Sequence, residues 1–225
     1  MGEQNSRPEQ AIKNLLDCHR VISPPSAPDE NKRVYRKICG LCMHYLLETD
    51  YFVEPIAYRT SSLVTEFKFK ASRWITGKVM NDPKQPIKVE FWQNGGNGLA
   101  EMFHDSIPLF SKELVQALQS AGVNNLQTFP VSIVEREGLD IDQEYLAVNI
   151  VGCIKCVDMN KSEHTDIAGQ QVFAFRQLVI DETKTQGQLM FRLAESLTSI
   201  IVHEKVKTYL DKQNFKYLSF RGLSG

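Results

Sequence analysis

A chain of 225 residues with 42% hydrophobic, 24% charged and 9% aromatic residues has the balance of an ordinary soluble globular protein, which excludes disorder, collagen and a coiled-coil rod. Its 26 Lys and Arg against 27 Asp and Glu leave a net charge of −1, so bulk charge does not equip it to grip nucleic acid or an anionic membrane. No run of about 18 apolar residues occurs and the N-terminus is polar, which predicts neither a membrane span nor a signal peptide. Five cysteines, an odd number, suit reduced thiols and a cytoplasmic location.

In chain order, two helical segments come first. Ile12, Leu15 and Leu16 follow Pro8 at helical spacing, and Asp29 to Asn31 can cap a second helix with Val34, Ile38, Leu41 and Tyr45 on one face. Ser23 to Pro28 between them holds three prolines and predicts a semi-rigid connector. Residues 1–50 are therefore expected to form a helical extension, and residues 51–225 the main domain. From Tyr51 the texture turns to β: Thr65 to Lys70 alternates apolar and polar, and Arg73 to Met80, Ile87 to Gln93, Leu126 to Glu135, Tyr145 to Val157, Val172 to Ile180 and Gln188 to Leu193 all read as strands.

One internal echo stands out. A shift of 92 residues, Leu109–Pro130 onto Ile201–Gly222, pairs apolar with apolar at seven positions, where chance gives about four. Each copy reads as a short strand, a helix beginning near Ser111 or His203, a turn at Gly122 or Asn214, and a second strand. The expected fold is thus α+β, a mixed or antiparallel sheet with two candidate β-α-β repeat units and the N-terminal helical extension.

Chemistry is sparse. Cys39 and Cys42, with Cys153 and Cys156, make two C-x-x-C pairs that could supply four thiolates to zinc. The pairs are far apart in sequence, and on a regular strand Cys153 and Cys156 would point to opposite faces, so structural cysteines are the preferred reading. His19 and His44 neighbour cysteines; His203-Glu204 opens like a zinc-protease helix, but Lys207 stands where the second histidine belongs. The glycine loop from Asn94 to Gly98 lacks the ending of a phosphate loop and reads as a surface recognition loop through Asn94 and Asn97. No cofactor is implied.

Charge is more telling in its distribution. Residues 1–100 carry 14 basic and 11 acidic side chains and residues 101–225 carry 12 and 16. Lys32, Arg33, Arg36 and Lys37 form a basic cluster, whereas Glu135, Glu137, Asp140, Asp142 and Glu144 surround the lone Arg136. That acidic stretch is either a solvated turn or a patch that steers a basic protein partner.

The runs Glu144 to Ile150, Val157 to Glu163, Leu178 to Asp181, Phe191 to Leu193 and Ile201 to Lys207 resemble the myxobacterial-type immunity protein family of bacterial polymorphic toxin systems. Ile107 to Leu114 and Phe129 to Val131 are similar to it as well, so the resemblance spans roughly residues 75–221. It implies a cytoplasmic, non-enzymatic antidote that binds and occludes a cognate protein toxin, with no direct nucleic-acid or membrane partner. Asp158, Ser162, Asp181 and Arg192 match the family's recurrent polar positions, either as turn and strand-end hydrogen-bonding groups or as partner contacts, while His203 stands where the family more often has Ser. The partner-binding candidates are Glu135, Glu137, Asp140, Asp142, Glu144, Asn94 and Asn97. The alternative is a zinc-binding or enzymatic protein built on the four C-x-x-C cysteines and nearby histidines.

Overall fold

The computed structural model of the protein describes residues 44–53, 58–62, 74–81, 83, 86–93, 98–104, 107–135, 144–166 and 173–223. The strands are β1 (His44–Thr49), β2 (Tyr58–Ser62), β3 (Ile87–Gln93), β4 (Met102–His104), β5 (Pro108–Ser111), β6 (Leu126–Glu135), β7 (Tyr145–Ile150), β8 (Cys153–Ile154), β9 (Glu163–Asp166), β10 (Phe173–Gln177), β11 (Met190–Leu193), β12 (Ser196–His203) and β13 (Leu218–Gly222). Two α-helices lie among the described residues, α1 (Lys112–Ser120) and α2 (Glu204–Leu210). The strands form a five-stranded sheet β13-β1-β12-β11-β8, a six-stranded sheet β2-β3-β6-β7-β5-β4 and a β9-β10 ribbon.

The α+β expectation is overturned: the protein is β-rich, with curled sheets and two described helices of 9 and 7 residues. The β-α-β units are corrected too. The two strands that α1 joins, β5 and β6, are not neighbours, because β7 lies between them and runs antiparallel to both. Likewise α2 joins β12 to β13 across an intervening antiparallel β1. Apolar spacing reports the succession strand, helix, strand, but carries no sign of a third strand that enters from elsewhere in the chain.

The 92-residue offset survives as a correspondence of registers. Leu109 faces Ala147 as Ile201 faces Leu46, and Leu126 faces Ile150 as Leu218 faces Thr49. Ser111 N–H donates to Glu101 C=O as His203 N–H does to Leu189 C=O. The equivalent residues Ser111 and His203 are the two helix N-caps, and both helices are followed by a left-handed residue, Gly122 at φ 102° and Asn214 at φ 57°.

Two-residue periodicity explains the layering. Phe110, Val148, Ile150, Leu47, Ile200 and Val202 face a central core closed by Leu114, Leu118, Val206 and Leu210 of the helices. The alternate residues Leu109, Tyr145 and Ala147 face a second core with Phe91, Phe129 and Trp74, and Leu46, Phe191 and Ile201 face a third with Ile154 and Cys156. β5, β7, β11 and β12 are thus buried on both faces, which is why these strands read as near-continuous apolar runs, whereas β6 exposes Thr128, Pro130 and Ser132 on one face.

Other expectations are met or corrected locally. β3 and β6 fall where the sequence placed them. Arg73 to Met80 was expected as a strand, but Trp74–Ile75 is a single 3-10 turn and Gly77 is left-handed at φ 67°. Tyr145 to Val157 breaks after Ile150, and Tyr45 lies on strand β1 rather than on a helix. Thr65 to Lys70 lies outside the described residues, as do the two expected N-terminal helices up to Leu41.

Candidate functional site

Hydrogen bonds tie together one end of the molecule. Lys112 N–H donates to Glu144 C=O, Ser111 N–H to Glu101 C=O, and Asp50 N–H to Tyr217 C=O. The buried Glu101 carboxylate closes the series, accepting the N–H groups of Lys216 and Tyr217 at 2.7 and 3.0 Å. These links set the start of α1, the base of β13 and the turn after β1 side by side. The turn is held by Phe52 N–H donating to Asp50 Oδ1 at 2.9 Å. It presents Tyr51, Phe52 and Val53 at 55, 67 and 50% exposure. Isolated exposed apolar residues are ordinary, whereas a consecutive group of them is a feature of contact surfaces.

Of the expected acidic stretch, Glu144 lies at this end. Its carboxylate accepts from Lys112 Nζ at 2.6 Å, and both groups are exposed; the hydrogen bond and charge of Glu144 raise the Lys112 pKa. Glu137, Asp140, Asp142, Asn94 and Asn97 lie outside the described residues, as does the side chain of Glu135.

The recurrent polar positions sort into internal roles. Asp158 Oδ1 accepts from Asn160 N–H, and Asp181 Oδ1 from Thr183 N–H, each carboxylate also meeting a lysine three residues on. Those bonds, from Lys161 and Lys184 foremost, lower both carboxyl pKa values, that of Asp181 to about 2. Ser162 Oγ is buried, accepting Val179 N–H at 3.0 Å and donating to Val179 C=O at 3.4 Å. Arg192 is fully buried on β11.

Of the C-x-x-C cysteines, Cys39 and Cys42 lie outside the described residues. Burial is the main force pushing both remaining thiols up, Cys156 to about 12. Such thiols are poor sources of the thiolate that zinc or nucleophilic chemistry requires. Cys156 packs with Ile154, Val157 and Ile180 as a small hydrophobe.

A histidine pair lies where β1 meets β12. His44, 2% exposed, pairs through Nδ1 with Glu182 Oε1 at 2.9 Å and stacks edge-on against His203, with ring centroids 5.2 Å apart. His203 Nδ1 accepts Lys205 N–H at 3.0 Å and so caps α2, which requires an unprotonated nitrogen. Burial, then the neighbouring His44, lowers the His203 pKa; Glu182 and Glu204 oppose this, and Lys205 adds slightly to it. A His pKa below its unfolded value of about 6.5 contributes stability that is complete above that pH and lost as pH falls through the folded pKa. His203→Ser, which copies Ser111, is expected to keep the cap and flatten the loss of urea midpoint between about pH 7 and 5; a loss as steep as wild type removes His203 from the account.

Sequence reasoning passed over Tyr51–Val53 and Glu101, and named Arg192 only as one of the family's recurrent polar positions. The triplet did carry a signal: three apolar residues follow Thr49-Asp50 without the alternation of a buried strand. Nothing local distinguishes Glu101 or Arg192, whose burial is set by distant segments.

A search of the curated proteins finds no match to this chain. The model of the Immunity protein family (Imm11) matches residues 37–224, a span that includes all thirteen described strands and both described helices. With most of its length covered, the chain belongs to the Immunity protein family (Imm11).

Proposed function

We propose that the protein is a cytoplasmic immunity protein of a bacterial polymorphic toxin system, which binds its cognate toxin and neutralises it by occlusion, with no catalysis of its own. The observation that carries this is the family match over residues 37–224. Occlusion needs a rigid body with a sticky, charged surface. The three apolar cores packed against the sheets suit the first requirement, and the exposed Tyr51–Val53 turn suits the second. In this reading the acidic stretch Glu135, Glu137, Asp140, Asp142 and Glu144 steers a basic toxin surface, and Asn94 and Asn97 contribute to toxin contact.

Co-expression tests it directly. Cells producing the toxin encoded beside this gene should grow when the protein is present, and the two should co-purify; a toxin equally lethal with and without it overturns the proposal. Within the same assay, reversing Glu137, Asp140 and Asp142 to Lys should slow association at low salt, by about tenfold or more if steering operates. An on-rate unchanged at low salt removes the loop from the mechanism.

A further inference from the structure

β13 is an edge strand whose outer side has no neighbour among the described strands. Its pairing with β1 runs Glu48 to Ser219 and Leu46 to Arg221, flanked by the Asp50 to Tyr217 and Leu223 to His44 hydrogen bonds. In an antiparallel ladder these residues turn their main-chain groups toward the partner, so the N–H and C=O of Leu218, Phe220 and Gly222 point the other way. They make no hydrogen bond among the described residues. Three outward donor and acceptor sets in one row fit an extended main chain and little else.

The usual guards of an edge are weak here. β13 holds no proline, its register with β1 is continuous, and its one charged side chain, Arg221, is engaged by Glu48 at 3.1 Å. By contrast, Met102 C=O on β4 is taken by Thr49 Oγ1 at 2.9 Å, β8 is two residues long, and β9 displays four exposed polar side chains with no apolar anchor. β13 alone among these adjoins exposed apolar residues: the Asp50 to Tyr217 bond places the Tyr51–Val53 turn at its start.

We infer that β13 and the Tyr51–Val53 turn form one docking surface for an extended segment of the cognate toxin, which adds a strand along Leu218, Phe220 and Gly222 and receives Phe52 in an apolar pocket. This rests on the reading of the chain as an immunity protein. Charge at this end is mixed, with Glu144 paired to Lys112 and Glu48 to Arg221, so recognition falls to the outward main chain of β13 and to Phe52. A second copy of the chain is the poorer occupant, because a five-residue edge pair is small against the roughly 1,000 Å² that a stable interface needs, and it would leave the aromatic turns at its outer ends.

The probe is the toxin domain encoded beside this gene, inactivated and immobilised. Phe52→Asp and Gly222→Pro are each expected to weaken binding by about tenfold or more. Thermal melting should barely change, since Phe52 is exposed and Gly222 N–H lies outside the β1 ladder. Complex formation should also slow hydrogen exchange at the amides of Leu218, Phe220 and Gly222. Wild-type affinity in Phe52→Asp, with exchange at those amides unchanged, overturns the docking surface while leaving the immunity function standing. A chain that dimerises through β13 and binds toxin equally well as a Phe52→Asp monomer does the same. Wild-type protein that does not bind the toxin at all overturns both readings.

Discussion

Gly77→Ala is expected to destabilise the protein by about 3 kcal/mol, lowering the thermal midpoint by roughly 6–12 °C. Two costs combine. Gly77 has φ 67°, where an L side chain crowds its own carbonyl, at about 1–2 kcal/mol. A Cβ there would also lie 2.7 Å from Gly152 C, 2.8 Å from Gly152 O and 2.9 Å from Cys153 Cβ. Main chain cannot rotate aside as a flexible side chain can, and Gly152 N–H is already committed to Gly77 C=O at 2.8 Å. Relief would have to come from moving the segment that seats Trp74 against Phe129 and bonds Met80 N–H to Gln127 Oε1 at 2.8 Å. Gly187→Ala is the control: φ is 68° but nothing lies within 4 Å of its Cβ, so only the conformational cost applies. Equal losses at the two glycines would exclude the clash.

Gly77 also shows what the sequence could not say. Arg73 to Met80 has β-favouring residues, yet the decisive fact is that Gly152, far along the chain, packs against its backbone. The same non-locality separates success from failure elsewhere. β3 and β6 were legible because each carries its own alternation and turn signals. Tyr45 was misread because one helical spacing, Val34, Ile38, Leu41, Tyr45, ran on past the point where the chain enters a sheet. β1 gains its stability from β12 and β13, more than 150 residues on, a gain that local propensity does not contain. The helix starts near Ser111 and His203 were visible as an echo, but histidine in place of serine argued against a cap at 203, and His203 nonetheless caps its helix as Ser111 does. Among site residues, Glu144 could be placed at one end of the molecule only through its contact with Lys112, itself set by the β5 to β7 register. The exposed turn at Tyr51–Val53 left a trace in three consecutive apolar residues, but its meaning depends on the β13 edge, which has no outer neighbour among the described strands.

Arg192→Met is expected to stabilise the protein by about 1–3 kcal/mol, opposite in sign to most core substitutions. Arg192 is among the largest fully buried side chains, yet among the described residues only Nη1 finds a partner, Leu197 C=O at 3.1 Å. Nε and Nη2 are buried without a hydrogen bond among the described residues. Burial pushes the guanidinium down to about 10, with Cys153 acting weakly in the other direction. Against an ordinary value of 12.5, that corresponds to a cost on the order of 3 kcal/mol while the group stays charged. Methionine fills much of the volume and removes the charge, at the expense of one hydrogen bond worth about 1 kcal/mol. Alanine would leave a cavity instead and is expected to cost about 2–5 kcal/mol. The pH dependence follows from the lowered pKa: between about pH 10 and 12.5 the unfolded chain binds more protons than the folded one, so wild-type stability should gain with pH there relative to Arg192→Met. Below about pH 10 both states are charged and the penalty is constant. Urea midpoints of wild type, Arg192→Met and Arg192→Ala at pH 7 and 10.5 separate these terms; a methionine variant as unstable as the alanine one would mean that the buried charge is itself required by the fold.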